Sequence, residues 1–311
     1  MGFEHIPVLL DECIEGLAIK PDGIYVDCTA GGGGHSFAIA SRLTTGRLIS
    51  IDRDEEAIAA CTKRLESVKD RVTVVKATFS QVGEILKQMG IDGVDGILMD
   101  LGVSSHQIDT PERGFSFRSD AKLDMRMDRQ APMSAEILIN TYGEAEIADI
   151  LWRYGEERYS RQIARRIVQA RQNGPIGTTG QLVEIIKSAM PAAARREDQH
   201  PAKRTFQALR IAVNDELGEL EETLKAIPSL LCEGGRAAVI SFHSLEDRMV
   251  KTAFREQSTG CTCPPEFPVC VCGHKAQMKI VTKKPIVATG EQLADNRRAA
   301  CAKLRIAERI S

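Results

Sequence analysis

At 311 residues, with 43% hydrophobic and 27% charged side chains, the chain has room for one large domain or two modest ones. Its makeup is that of a soluble globular protein rather than a disordered or fibrous one. No apolar run approaches the roughly 20 residues that cross a bilayer, Met1 to Pro7 lack the basic and apolar regions of a secretory leader, and nine cysteines, an odd number, suit a reducing compartment better than a disulfide framework; the expectation is a cytoplasmic protein with no membrane partner.

Ile24-Tyr25-Val26 predicts a strand that runs through Asp27 into the four glycines Gly31 to Gly34, and Phe37 to Leu43 then read as a helix. A strand, a glycine turn and a helix start let a ligand lie against bare backbone. Arg47 to Asp52 predict a second buried strand ending in an acid, and in open α/β sheets such a carboxylate commonly accepts from ribose hydroxyls. The dinucleotide pattern G-x-G-x-x-G is incomplete, because the frame Gly31-x-Gly33 ends on Ser36. The pattern therefore points to a nucleotide-type cofactor without pointing to NAD.

Asp54 to Leu65 read as a helix with acids in its first turn, Arg71 to Ala77 as a strand, Val82 to Met89 as a helix stopped by Gly90, and Gly93 to Asp100 as a fourth strand. Alternating β and α with short links predicts an α/β fold with a parallel, doubly wound sheet whose crevice lies at the strand C-termini. Asp27, Asp52, Phe79 and Asp100 all fall at or just past such ends. The alternation then stops. Residues 101–132 are rich in turn formers, and 134–194 read as helical. A long amphipathic run from Ala202 puts Phe206, Leu209, Val213, Leu217, Leu220 and Leu224 on one stripe. β character resumes at Arg236 to Phe242. Ser244-Leu245-Glu246-Asp247 reads as a capping box opening a helix through Glu256, and Lys279 to Thr282 and Lys303 to Glu308 read as closing strands. The expected organisation is a sheet domain in two parts, 1–103 and 206–311, around a helical insertion at 104–205 that follows the fourth strand.

Net charge is −2, which taken alone argues against a nucleic-acid partner, yet residues 152–210 hold twelve Lys/Arg against five Asp/Glu and leave −9 for the remainder. That asymmetry marks a partner-binding segment. Within it, Arg158, Arg161 and Arg165 recur at three- and four-residue spacing and would form one basic helix face. Lys203 and Arg204, with Arg195 and Arg196, add a second cluster. Phe115 and Phe117 sit in an otherwise polar loop, where they either stack an unpaired base or anchor the loop to a core. Cys261-x-Cys263 and Cys270-x-Cys272 can present four thiolates to one zinc, the alternative being a reduced surface loop.

Several longer motifs stand together in one order: Thr29-Ala30-Gly31-Gly32-Gly33-Gly34-His35-Ser36, Asp100-Leu101-Gly102-Val103-Ser104-Ser105, Arg113-Gly114-Phe115-Ser116-Phe117 and Asp124-Met125-Arg126-Met127-Asp128. Beyond them come Tyr154-Gly155-Glu156-Glu157-Arg158, the run from His200 to Arg210, Ser241-Phe242-His243-Ser244-Leu245-Glu246-Asp247-Arg248 and Leu304-Arg305-Ile306-Ala307-Glu308-Arg309. In these the chain resembles, nearly end to end, the bacterial MraW/RsmH family of small-subunit (16S) ribosomal RNA cytosine-N4 methyltransferases.

The resemblance implies a class I methyltransferase sheet and S-adenosylmethionine as cofactor. It implies a cytidine near the decoding site as substrate, with 16S rRNA in the small ribosomal subunit as partner. It assigns Gly33, Gly34 and His35 to the methionine and ribose side of the cofactor, Asp52 to the ribose hydroxyls and Phe79 to the adenine, with Asp100 and Gln107 completing the pocket. Many amino-directed methyltransferases carry an (Asp/Asn)-Pro-Pro-aromatic motif after the fourth strand; here Asp100 is followed by Leu101-Gly102-Val103. Asp100 is the best acceptor in sequence for aligning the amine, and His243, at the end of a strand facing the same crevice, is the second catalytic candidate. Two other classes share features of the chain: an NAD-linked oxidoreductase and a non-catalytic RNA-binding module.

Overall fold

The computed structural model describes residues 7–194, 200–261, 263, 267, 269 and 271–310, and they form two compact units, Met1–Gly102 with Gly218–Ser311, and Val103–Leu217. The first unit opens with α1 (Leu10–Leu17) and then alternates: β1 (Ile24–Asp27), α2 (Gly34–Ala40), β2 (Arg47–Asp52), α3 (Glu55–Arg64), β3 (Val72–Lys76), α4 (Val82–Gln88) and β4 (Val94–Asp100). The second unit holds α5 (Ser105–Asp109), α6 (Ala135–Thr141), α7 (Glu144–Gly155), α8 (Ser160–Arg171), α9 (Thr179–Ala189) and α10 (Lys203–Asn214). The chain continues through α11 (Glu216–Leu230), β5 (Leu231–Ser241), α12 (Ser244–Ser258), β6 (Met278–Ile280), α13 (Gly290–Asp295) and β7 (Lys303–Arg309).

The strands make one seven-stranded sheet in the order β3-β2-β1-β4-β5-β7-β6. β1 to β5 are parallel, and β7 runs antiparallel to both its neighbours. The central strands carry apolar runs, Leu48, Ile49 and Ile51 on β2 with only Ser50 between them, Ile97 to Met99 on β4 and Ala237 to Ile240 on β5, all essentially without exposure. Such runs are required where helices cover both faces of a sheet. Local signals set the helix starts. Asp54 caps α3, its Oδ1 accepting from Glu56 N at 3.0 Å, with Glu55 and Glu56 in the first turn and Lys63 and Arg64 in the last, as the helix dipole favours.

Two sequence expectations change. The long stripe from Ala202 is two helices, because Asp215 turns left-handed (φ 48°) between α10 and α11. Arg210 spans the break with a bidentate pair to Glu216, both bonds at 2.8 Å. Phe206, Leu209 and Val213 accordingly join the core of the helical unit. The helical unit therefore ends at Leu217 rather than at 205. The physical reason is visible at Gly155, the last residue of α7. A Cβ there would lie 2.6 Å from the Arg204 carbonyl oxygen, so α10 packs directly on α7. Second, β5 starts at Leu231, five residues earlier than expected, and crosses a register shift against β4 near Gly234 (φ 76°).

The helical unit has its own core, in which Leu151, Ile163, Ile167, Leu182, Ile186 and Leu209 are fully buried. Its longest irregular segment is held by polar side chains instead. Arg113, 2% exposed, donates through Nη2 to the carbonyls of Arg126 (3.0 Å) and Met127 (2.9 Å). Asn214 donates to Met125 O and accepts from Met127 N, both at 2.8 Å. These bonds fix Met125 at φ 61°, a conformation a non-glycine residue adopts only when its surroundings over-determine it.

Candidate active site

The strand order reverses beside β1, which has β2 on one side and β4 on the other; in open α/β sheets ligands bind outside the strand C-termini at that switch point. Each of the three strands there ends in an aspartate: Asp27 on β1, Asp52 on β2 and Asp100 on β4. The glycine turn is stitched between them. Cys28 N donates to Leu98 O and Ala30 N to Ile51 O, each at 2.9 Å. Asp100 N donates to Thr29 Oγ1 at 2.6 Å.

Asp27 is fully buried; its carboxylate accepts from Ser36 Oγ at 2.6 Å and Thr29 N at 3.2 Å. Asp52 accepts from Gly31 N (Oδ2, 2.8 Å) and Asp54 N (Oδ1, 2.9 Å), so one lone pair on each oxygen is already taken by backbone. Burial pushes Asp27 and Asp52 up to about 6 despite these bonds. Asp100 is also raised, well above the usual carboxylate range. Burial is the main cause, and the negative charges of Asp27 and Glu246 add to it. Its Oδ1 is buried with no hydrogen-bond partner among the described residues, and its Oδ2 lies 3.8 Å from His35 Nδ1. A buried carboxylate oxygen left unpaired is costly, and the carboxylates of Asp27, Asp52 and Asp100 repel one another across the switch point. A cationic ligand relieves that repulsion.

The expected cofactor residues separate on inspection. Gly31, at φ 50°, is the glycine whose missing side chain leaves open space, the nearest atom to a Cβ there being Thr29 O at 3.8 Å. Gly33 and Gly34 are small for packing. A Cβ would come within 3.1 Å of Cys61 Cα at Gly33 and 2.3 Å of Pro7 Cγ at Gly34, so their absence lets α2 close on α3 and on the N-terminal segment. His35 is 5% exposed and bonded through Nε2 to Val8 O at 3.0 Å. Phe79 opens the 3₁₀ turn after β3, two residues beyond Ala77, whose N–H donates to Asp52 O at 3.0 Å. Gln107 belongs to the helical unit, where its side chain closes a capping box on Ser104 N at 3.0 Å.

His243, not Ser244, caps α12: Nδ1 accepts from Glu246 N at 3.4 Å, and Glu246 Oε2 accepts from Phe242 N (2.8 Å) and His243 N (3.2 Å). The expected box is thus displaced by one residue, and Asp247 instead pairs with Lys303 (3.0 Å) and Arg305 (2.7 Å) on β7. A capping role gives His243 a sufficient structural reason to be where it is. Sequence reasoning placed Asp27 at the crevice without giving it a role, and passed over Thr29 and Glu246 as members of the site. The first two were legible as the strand end and turn that precede the glycines; Glu246 required knowing where β5 ends.

In the helical unit, Phe115 is a core residue, 9% exposed with the Arg113 guanidinium 5.8 Å from its ring centroid. Phe117 stacks on His200 at 4.4 Å and meets Phe206 edge-on at 5.7 Å. Phe115 is therefore closed to a base, while Phe117 is half-buried with one ring face taken by His200. Arg158 precedes α8 rather than lying on it, in the turn after Gly155. It nonetheless joins Arg161 and Arg165 along a groove of about 780 Å³ between α7 and α8, which Glu144, Asp149 and Trp152 also line. Arg165 lies 3.6 Å from Glu144. Trp152, the protein's one tryptophan and another residue that sequence reasoning missed, is 60% exposed there. Arg204 donates to Glu156 O at 2.8 Å and so holds the end of α7, while Lys203 is exposed at the start of α10. Arg195 and Arg196 lie outside the described residues, as does Cys270. The sulfur atoms of Cys261, Cys263 and Cys272 lie within 4.8 Å of one another.

A parallel sheet in the order 3-2-1-4-5-7-6 with a reversed seventh strand, carrying acids at its switch point, defines a class I methyltransferase, the S-adenosylmethionine-dependent architecture. A crystal structure of an rRNA methylase from Streptococcus thermophilus aligns over 97% of this chain and 94% of its own, at 9% identity and a TM-score of 0.42. The chain belongs to the MraW methylase family, whose model matches residues 2–310. Among its relatives, a ribosomal RNA small subunit methyltransferase H from Brevibacillus brevis is 57% identical over 100% of this chain and 99% of its own length. One of the same name from Heliobacterium mobile is 55% identical over the full length of both. No helix among the described residues is long and apolar enough to cross a membrane.

Proposed function

We propose that this methyltransferase acts on small-subunit (16S) ribosomal RNA, methylating the exocyclic N4 amine of a cytidine near the decoding site. Relatives of the same name at 52–57% identity along the whole chain support the RNA substrate. The observation that carries the chemistry is the buried, unpartnered Asp100 Oδ1 at the head of the acidic switch point. The site residues fit S-adenosylmethionine, which is cationic at both its sulfonium and its ammonium. When bound, the cofactor supplies an electrophilic methyl group. Asp52 would hold the ribose through the lone pairs that Gly31 N and Asp54 N leave open, with Phe79 beside it and Gly31 giving close backbone approach.

The cytosine amine is flattened by conjugation and weakly nucleophilic. An acceptor that takes one of its N–H bonds localises the nitrogen lone pair for in-line attack. Asp100 Oδ1 is that acceptor, and its raised proton affinity lets it take the proton that the amine must lose once the new N–C bond has formed. His243 serves the site by holding α12 in place, through its cap. RNA phosphates meet Arg158, Arg161 and Arg165, and Trp152 offers the open ring face that the buried Phe115 does not. Lys203 adds a further cation.

Mass spectrometry of 16S rRNA from cells lacking this protein is the test. One cytidine should lose a methyl group, restored by the wild-type gene and not by Asp100→Asn. An unchanged methylation pattern in the deleted strain would refute the assignment, and a pattern restored equally by both genes would remove Asp100 from the chemistry.

A further inference from the structure

Between α12 and β6 the chain makes a long excursion whose base is pinned by Gln277 N donating to Gln257 O at 2.9 Å. None of the described residues from 259 to 277 is buried, and Phe267, Val269 and Val271 are at least half exposed. Long loops without secondary structure or a core of their own are uncommon in compact proteins, and small core-poor segments are usually stapled by a disulfide or a metal. Three thiols converge here. Cys261 and Cys272 sulfurs are 3.7 Å apart, and Cys263 completes a set within 4.8 Å.

From this arrangement we infer that Cys261, Cys263 and Cys272 bind one zinc ion that staples the excursion. The separation is informative. Thiolates at about 2.3 Å from a tetrahedral ion stand about 3.8 Å from each other, close to the observed 3.7 Å, whereas a disulfide requires about 2.05 Å. Backbone amides are aimed at the sulfurs as well. Val271 N and Cys272 N both donate to Cys263 Sγ at 3.3 Å, and Cys263 N donates to Cys261 Sγ at 3.4 Å. These N–H donors hold the sulfurs in place around a common centre. An all-thiolate set selects zinc over the hard oxygen-seeking cations. Binding couples to deprotonation of the three thiols, so the protons leave to solvent as the ion enters.

The full-length protein, purified under reducing conditions without a metal-affinity tag or chelator, is expected to carry about one equivalent of zinc per chain by elemental analysis. Cys261→Ser, Cys263→Ser and Cys272→Ser should each lower that content roughly tenfold. Cys301→Ser, an exposed thiol elsewhere, should leave it unchanged. Wild-type protein reloaded with cobalt(II) should show the intense visible bands of a tetrahedral thiolate site, a readout independent of whether any variant folds. Wild type containing no metal, iron in place of zinc, or a Cys261–Cys272 disulfide in the intact mass would each overturn the assignment, as would zinc retained by all three variants.

Discussion

Asp52 and Asp100 end neighbouring strands of one sheet, yet their surroundings give them different work. Asp52 shares each oxygen with a backbone amide, which orients the carboxylate and leaves acceptor capacity for a ligand. Burial holds it at about 6. Cofactor binding uses the ionised form, so affinity is full above that value and falls as the pH drops through it. For a single such group, the dissociation constant of S-adenosylmethionine should rise roughly tenfold from pH 7 to pH 5. Calorimetry in buffers of different ionisation enthalpy would detect the accompanying proton release near pH 6. Asp52→Ala should weaken binding by one to two decades, roughly 1.5–3 kcal/mol for a hydrogen bond to a charged group, and should abolish that pH dependence. Affinity independent of both pH and Asp52 would place the ribose elsewhere. Asp100 has the opposite character, since its unpaired Oδ1 costs the ligand-free protein stability. Asp100→Asn should therefore melt about 2 °C higher, for a gain of about 1 kcal/mol, while methyl transfer collapses. A variant that is both less stable and fully active would contradict each half of that assignment.

Elements in this molecule are set mostly by their ends. α3 begins where Asp54 caps it and α12 where His243 does, and α10 stops where Asp215 turns left-handed. The His243 cap yields a discriminating experiment. Asparagine is a strong N-cap and cannot act as an acid or base near neutral pH, so His243→Asn should keep both stability and turnover. His243→Ala should lose about 0.5–2 kcal/mol, read as a lower melting temperature. Loss of turnover in a stable Asn variant would instead give the imidazole a chemical role.

At the scale of the whole molecule, local concentrations of charge matter more than the net charge. Acids gather at the switch point of the sheet, and exposed cations line the α7–α8 groove of the helical unit. Replacing Arg158, Arg161 and Arg165 with Gln should weaken RNA binding and flatten its salt dependence by roughly 0.7 in slope for each phosphate that is no longer neutralised, with cofactor affinity unchanged. Arg165, already near Glu144, should contribute least. Trp152→Ala should cost roughly 1–3 kcal/mol if one base stacks on the ring, without altering the salt slope. Filter binding across a salt series separates the two effects. An unchanged slope in the folded triple variant would move the RNA-binding surface off this groove.

What the sequence alone determined about this protein was its alternation and its family. Buried strands of a parallel sheet are continuous apolar runs, and their ends carry turn residues and acids, so β1 to β4, the glycine turn and the acids Asp52 and Asp100 were all legible in one dimension. The long motifs placed the chain among the MraW methylases for the same reason: they are contiguous. Tertiary structure decided everything that depends on which surfaces meet. It divided the stripe from Ala202 between two units, because Gly155 admits α10 against α7. It gave Gly33 and Gly34 to helix packing and left Gly31 open, and it buried Phe115 while exposing Trp152. It also brought Asp27 and Glu246 to bear on Asp100. Neither a hydrophobic period nor a motif records the neighbours of a residue more than a few positions away, and a buried charge is tuned by those neighbours.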